Sequence, residues 1–242
     1  MTEPNLYDSY STFMRWGETT VVDRPEDFEQ LLADAGLGGR TLSILDFGFG
    51  AGGFMDWARG AGHSVTGVEI LPEMIAAAAA RGHRTVPAAE SDRLGDGAFD
   101  AIVALDVLEH LDRAGFVALM ALARRTLTPT GVLVARFPNA DSPVFGRYHY
   151  GDLTHGRPLS ADAVRQLCHT EAMQVVKAFN PRSIPPGIGR ALKRRATYLV
   201  RDLIEILLGY VYFGIRFPMD PNVAVVLSRA DAPSPAIKTD SA

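Results

Sequence analysis

Asp46, Gly48, Gly50, Gly52 and Glu69 are the residues whose types and spacing most directly imply chemistry. The three alternating glycines follow the apolar run Ile44-Leu45-Asp46-Phe47. They lack the Cβ that would hold a ligand away, so main-chain N–H groups can approach a nucleotide-type cofactor closely. Glu69 closes the next run, Val65-Thr66-Gly67-Val68, about where a carboxylate would meet the two hydroxyls of an adenosine ribose. Gly48-x-Gly50-x-x-Gly53 also satisfies a dinucleotide fingerprint. Asp46 argues against that reading, because a carboxylate at the strand end repels a phosphate and suits a cationic or hydrogen-bond-donating ligand.

Such a loop needs a strand before it and a helix after it, and the apolar pattern supplies both repeatedly. Helices are expected from Pro25 to Leu32, stopped by Gly36 to Gly39, and over 53–60, 72–82, 112–126 and 160–171. Strands are expected over 42–47, 64–69, 84–87, 101–105, 131–137, 174–179 and 222–227. The alternation calls for an α/β fold, Rossmann-like, with a seven-stranded, mostly parallel sheet and helices on both faces. In an open sheet of this kind the ligand lies across the carboxyl ends of the strands, where Gly48 to Gly52, Glu69 and Asp106 converge.

The 242 residues suffice for one substantial core, and nothing marks a second domain of comparable size. A formal net charge of −4 gives no reason to expect a nucleic-acid substrate. The single cysteine, Cys168, sits in a helix-like run; it permits no internal disulfide and suits a reducing cytoplasm, where it would simply pack. The start of the chain lacks the basic and apolar blocks of a secretory signal, so export is not expected.

The run from Ile44 to Gly53 with its closing Glu69, the segment Phe99-Asp100-Ala101-Ile102-Val103-Ala104-Leu105-Asp106-Val107-Leu108-Glu109-His110-Leu111 and the segment Leu127-Thr128-Pro129-Thr130-Gly131-Val132-Leu133-Val134 resemble, in order, motifs of class I S-adenosylmethionine-dependent methyltransferases. The resemblance covers roughly residues 40 to 180. It implies S-adenosyl-L-methionine as cofactor and an antiparallel last strand. It also implies that Asp46 and the glycine loop face the methionine part, Glu69 the ribose and Ile70 an adenine face. Ala88 and Ala89 depart from the acidic residue many relatives set against the adenine amino group, leaving Glu90 as the nearest candidate. On this reading residues 1–40 form an N-terminal cap and first helix, in which Tyr7, Tyr10, Phe13 and Trp16 suit either a cover over the cleft or packing on that helix. Residues 41–230 form the methyltransferase domain, and 231–242 a disordered tail.

Methyl transfer is an in-line displacement from a sulfonium, so the protein chiefly aligns, excludes water and positions the acceptor. A hydroxyl acceptor must also lose a proton, for which a histidine of near-neutral pKa is suited. The candidates are His110, His149 and His155, with His155 preferred; the ordinary alternative for each is a structural hydrogen bond. The loop over 138–159 follows the fifth strand and gathers Asp141, Arg147, Tyr148, Tyr150 and Asp152, making it the expected acceptor site. The spacing of Asp152, His149 and His155 matches no recognised metal set, and no metal is expected. The histidine-rich loop and the basic-apolar insertion resemble methyltransferases acting on sugars of surface polysaccharides, lipid-linked glycans or glycosylated natural products. O-methylation of a sugar, glycan or glycosylated metabolite is therefore expected. N-methylation and a quinone-type acceptor stay open.

An insertion over 181–220 separates the last two strands. It opens with Pro181, Pro185 and Pro186, collects Arg190, Lys193, Arg194, Arg195 and Arg201, and runs into an apolar, aromatic-rich helix over Ile206 to Ile215. That run is about half the ~20 residues needed to span a bilayer. It suits a helix packed on the sheet or in a homodimer contact, or else a membrane interface, an apolar partner or a lipid-linked substrate. Two readings compete with the enzyme assignment. One is an NAD-dependent oxidoreductase, which would want a tyrosine with a lysine four residues later, and none occurs. The other is a non-catalytic cofactor-binding module, which would not need Asp46, Glu69 and three glycines.

Overall fold

A computed structural model describes residues 23–232, so the aromatic residues expected to cap the cleft, and nearly all of the tail, lie outside the described part. Helix α1 (Pro25–Asp34) begins on Arg24, whose backbone N–H donates to Asp27 at 2.8 Å, with Pro25 in its first turn. It buries Phe28, Leu31 and Leu32. Strand β1 (Ser43–Phe47), helix α2 (Gly53–Gly60), strand β2 (Ser64–Glu69), helix α3 (Pro72–Ala80) and strand β3 (Arg84–Pro87) follow as repeated strand and helix, with a 3₁₀ turn over Ala88–Arg93. Strand β4 (Phe99–Leu105), a 3₁₀ turn over Leu108–His110, helix α4 (Arg113–Thr126) and strand β5 (Leu127–Pro138) continue the alternation. The short helix α5 (Phe145–His149), helix α6 (Ala161–His169), strand β6 (Met173–Phe179), helix α7 (Ile188–Phe213) and strand β7 (Asn222–Arg229) complete the chain.

The sheet runs β3-β2-β1-β4-β5-β7-β6; its seven mostly parallel strands are those the sequence pattern predicts, and β7 is antiparallel to both of its neighbours, as the resemblance implies. Its central strands are apolar on both faces because each face carries its own core. Leu45, Ile102, Ala104, Leu133 and Ala135 pack with Phe116, Leu119 and Met120 of α4 and with Val164 and Cys168 of α6. Their neighbours along the strands, Ile44, Ala101, Val103, Val132 and Val134, pack with α1 and with Phe54 of α2. The Phe28 ring meets Phe54 edge-on at 5.3 Å between centroids, joining α1 to α2. Cys168 is buried with its Sγ 3.9 Å from Met120 Sδ, and burial pushes its thiol up to about 12, which fits the packing role expected of it.

The insertion departs from expectation. Its helix starts at Ile188, far ahead of the apolar run, and continues unbroken for 26 residues until Gly214 caps it in the left-handed region (φ 72°). It is not packed on the sheet through an apolar face: only Glu205 and Gly209 are buried along its length. The physical reason is that its inward face is polar and ion-paired, so its leucines, isoleucines and aromatics, Tyr198 and Leu208 excepted, point away from the protein.

Candidate active site

The glycine loop hangs from the carboxyl end of β1. Gly48 donates to the Val68 carbonyl at 2.7 Å and adopts φ 73°, and a Cβ there would sit 2.7 Å from Val107 Cγ2, so glycine is required twice over. The Val107 contact brings the turn after β4 directly onto the loop. Arg81, unremarked in the sequence, donates to the Ala51 carbonyl at 2.7 Å and braces the loop from the end of α3. Glu69 reaches across from β2, its Oε2 accepting from Gly50 N–H at 2.9 Å and its Oε1 from Ile70 and Leu71 N–H at 2.6 and 3.2 Å. The carboxylate thus stands inside the loop, beside the backbone that a nucleoside would meet, while Ile70 next to it is 62% exposed.

Asp46 is 2% exposed, and its Oδ2 has no hydrogen-bond partner among the described residues. Burial, with the Glu69 charge adding to it, pushes its carboxyl up to about 8. An orphaned buried carboxyl that holds its proton only for want of a countercharge is suited to a cationic ligand, and the ammonium and sulfonium of S-adenosylmethionine supply such charges. Its neighbour across the β1–β2 ladder is Gly67, where a Cβ would fall 2.5 Å from Phe49 Cδ1 and 2.7 Å from Met55 Sδ. Gly67 was legible only as a strand residue, yet its bareness is what lets the loop's Phe49 lie down on the sheet.

Asp106 ends β4 with a positive φ of 55°, uncommon for a residue with a Cβ. Arg136 of β5 holds it: Arg136 Nη2 makes a short ion pair with Asp106 Oδ2, and Nη1 reaches Asp23 at 2.8 Å. The two carboxylates raise the guanidinium pKa further above its ordinary value, against its burial. Asp106 therefore stands at the expected strand end but is committed to an ion pair within the protein. Glu90 is engaged by Arg93 at 2.5 Å on the same 3₁₀ turn.

The three candidate histidines come together. His110 and His155 meet edge-on at 4.8 Å between ring centroids, and His149 lies 5.7 Å from His155 while stacking on Phe145 at 4.8 Å. Asp152 organises them through Thr154: Thr154 Oγ1 donates to Asp152 Oδ1 at 2.6 Å and therefore accepts from His110 Nδ1 at 3.0 Å, which puts the proton of a neutral His110 on Nδ1. His155 Nε2 is 3.8 Å from Asp152 Oδ2 and 4.0 Å from Glu109 Oε1. Burial lowers the pKa of all three histidines, and the neighbouring His110 lowers His155 further.

Glu109 is a residue to which the sequence alone assigned no role beyond its place in the Phe99 to Leu111 motif. It is 2% exposed, neither carboxylate oxygen has a hydrogen-bond partner among the described residues, and burial together with Asp106 lifts its pKa well above the usual carboxylate range. The one signal in the sequence was its adjacency to His110. Glu109, His110 and His155 also form the group of described residues whose donor atoms lie within 4.8 Å of one another and could hold a metal ion. Arg147, Tyr148 and Tyr150 stand on or just beyond α5, largely exposed at the rim, with Tyr150 meeting His149 ring to ring at 5.1 Å. The cluster can take a proton from a bound hydroxyl at a neutral imidazole and offer it a protonated carboxyl as donor.

The model of the methyltransferase domain matches residues 22–178. Solved structures of the same fold include an S-adenosylmethionine-dependent methyltransferase from Archaeoglobus fulgidus, 17% identical over 92% of this chain and 99% of that one, TM-score 0.59. A TehB-like S-adenosylmethionine-dependent methyltransferase from Corynebacterium glutamicum is 19% identical over 93% of this chain and all (100%) of that one, TM-score 0.59. The 1,6-didemethyltoxoflavin-N1-methyltransferase of Burkholderia thailandensis, solved with 1,6-didemethyltoxoflavin and S-adenosylhomocysteine bound, is 18% identical over 93% and 85%, TM-score 0.57. No curated protein matches the sequence. With the family's domain matched over well more than half of its length, and the glycine loop, buried Asp46 and sheet order in place, this chain belongs to the methyltransferase-domain family, with S-adenosyl-L-methionine as its cofactor.

Proposed function

We propose that the protein methylates a hydroxyl oxygen of a polyhydroxylated small molecule, a sugar, glycan or glycosylated metabolite, using His155 as the base. The observation that carries this reading is the approach of His155 Nε2 to Oε1 of the buried Glu109 at 4.0 Å, where the turn after β4 meets the loop after β5, with burial lowering the imidazole pKa and raising that of the carboxyl. An amine acceptor with a free lone pair needs no base, whereas an alcohol must shed its proton as the new bond forms. Bound S-adenosylmethionine would supply an electrophilic methyl group on a sulfonium, the sulfur departing with the C–S electron pair as the acceptor oxygen takes the methyl carbon. His155 Nε2 receives the hydroxyl proton, and Asp152 at 3.8 Å steadies the imidazolium so formed. The Glu109 carboxyl would donate to a second acceptor oxygen, and Asp152 with Thr154 would hold His110 and the loop in register. Arg147, Tyr148 and Tyr150 form a polar, aromatic rim suited to a sugar ring, and Asp46, the glycine loop, Glu69 and Ile70 would receive the cofactor. In support of a small acceptor, the Burkholderia relative carries one.

The test is production of S-adenosylhomocysteine by the purified protein across sugar nucleotides, lipid-linked sugars, phenols and amines, with the methylated atom located by NMR. Methyl on a sugar oxygen, lost in His155→Ala, is expected. Methyl on nitrogen, or oxygen methylation indifferent to His155, would overturn the reading.

A further inference from the structure

We infer that α7 seats the protein on an anionic lipid surface. The helix is built inside out. Toward the protein it presents Tyr198, Arg201, Asp202 and Glu205, and each is satisfied there. Glu205 accepts from Asn180, Arg216 and the Met219 N–H at 2.6, 2.8 and 3.2 Å. Asp202 accepts from Arg182 and Arg216 at 2.7 and 3.0 Å, and Tyr198 donates to the Ser183 carbonyl at 3.0 Å. A polar face held this firmly fixes the rotation of the helix about its axis. The opposite face must then be outward, and it is apolar: Leu199, Leu203, Leu207, Tyr210 and Val211 are each between 58 and 66% exposed. At 3.6 residues per turn the exposed apolar positions from Ile206 round to Ile204 cover about 160° of the helix.

Charge chooses the occupant. The exposed cations Arg190, Lys193 and Arg195 cluster in the first turns, while the helix's two carboxylates, Asp202 and Glu205, are spent on Arg182 and Arg216. The outward surface is thus basic and apolar with no carboxylate of its own, on a chain whose net charge is −4. A second copy does not complement it. Antiparallel pairing lays those cations along the partner's Tyr210 to Phe213 with no acid to meet them, and parallel pairing stacks like on like. The apolar arc is also wider than the seam one partner helix covers. Anionic headgroups meet both requirements, since an interfacial helix sinks its apolar face into the headgroup boundary while Lys and Arg reach phosphate and Tyr and Phe occupy the interface. Among the described residues no helix is long and apolar enough to cross a membrane, so α7 would lie along one.

The helix is fastened to the acceptor loop. Asn139, the first residue after β5, donates from Nδ2 to the Pro218 and Asp220 carbonyls at 2.9 and 3.2 Å, in the segment that returns from α7 to β7. Arg182 ties Asp202 of α7 to Asp220 of the same segment. A helix lying on lipid therefore holds the loop over 138–159 beside that surface, whatever atom the site methylates.

The test is co-sedimentation of the full chain with vesicles of phosphatidylcholine alone or mixed with phosphatidylglycerol. Binding to the mixed vesicles is expected, weakened at least about tenfold by Arg190→Gln/Lys193→Gln/Arg195→Gln and likewise by Leu203→Gln/Leu207→Gln. S-adenosylhomocysteine affinity and circular dichroism should stay unchanged in both variants, because every altered side chain is exposed. Absence of binding to either vesicle, or equal binding to both, would overturn the inference. So would a concentration-dependent dimer in light scattering that the leucine variant abolishes while vesicles are ignored.

Discussion

His155 Nε2 and Glu109 Oε1 stand 4.0 Å apart in an environment that favours the neutral form of both. Burial lowers the imidazole and lifts the carboxyl, so the pair is a base and an acid in waiting rather than an ion pair. A lowered histidine pKa means the base is ready throughout the neutral range, and the acid limb of kcat/KM should have its midpoint below the ordinary 6.5. His155→Ala should cost about 10²- to 10⁴-fold in kcat and remove that limb. The histidines act on stability with a definite sign: the unfolded chain protonates them more readily than the folded one below the ordinary 6.5, so their contribution is lost as pH falls, while the raised carboxyls of Asp46 and Glu109 contribute in the opposite sense. Tm measured across the same pH range separates the two effects. A limb that follows Tm and persists in His155→Ala would remove the base.

Asp46 supports a prediction in which stability and function move oppositely. Its folded carboxyl, at about 8, keeps a proton that the unfolded chain releases near 3.8, so its contribution to stability worsens as pH rises between those values. Asp46→Asn should therefore raise Tm by several degrees at pH 8 and have little effect near pH 4. The same variant should weaken S-adenosylhomocysteine binding about ten- to a hundredfold, the worth of a hydrogen bond to a charged group. In the wild-type protein, binding at pH 7 should release a proton, seen as a dependence of calorimetric enthalpy on buffer, and affinity should rise from about pH 6 to about pH 8. A proton-neutral titration would show that Asp46 meets no cation.

Much of the fold was legible because period and chemistry agreed. Ile44, Leu45, Ile102 and Val103 announce buried strands from both faces, and Gly48 to Gly52 mark a turn whose backbone needs glycine. The candidate histidines were legible as residue types, but their convergence was not: His110 and His155 lie 45 positions apart, and the turn after β4 meets the loop after β5 only in three dimensions. Helix α7 misled because amphipathic patterns are ordinarily read with the apolar side inward. The partners that reverse it, Arg182 and Arg216, lie outside the helix, where no periodicity within it could reveal them. Glu109 and Arg136 were missed for a related reason, as a buried charge in a strand or turn looks like a surface one until its surroundings are known.

Arg136 bridges Asp106 and Asp23 with a guanidinium side chain only 12% exposed. Arg136→Gln should leave Asp106, whose side chain is 45% exposed, unpaired at φ 55° and cost about 1–3 kcal/mol, the worth of hydrogen bonds to a charged group. Asp106→Asn, which keeps the turn and removes one charge, should cost less. Urea unfolding of the two variants, with unchanged m-values, checks the order, and equal losses would show the ion pair is not what holds the turn.

Gly67 isolates the effect of steric room beside the cofactor loop. An added methyl falls 2.5 Å from Phe49 Cδ1 and 2.7 Å from Met55 Sδ, inside any real contact distance. Its backbone is that of an ordinary strand, so no torsional cost is involved. Gly67→Ala should therefore destabilise by about 1–3 kcal/mol through overpacking alone. Phe49 is the residue that must give way, and it lies between Gly48 and Gly50, so the strain passes into the loop whose amides would receive the cofactor. S-adenosylhomocysteine binding should fall with stability, and Gly67→Ala/Phe49→Leu should recover part of both by vacating the ring edge. Thermal unfolding and calorimetry on the single and double variants decide it: recovery of Tm without recovery of binding would place the Phe49 ring itself, rather than loop geometry, in the cofactor's path.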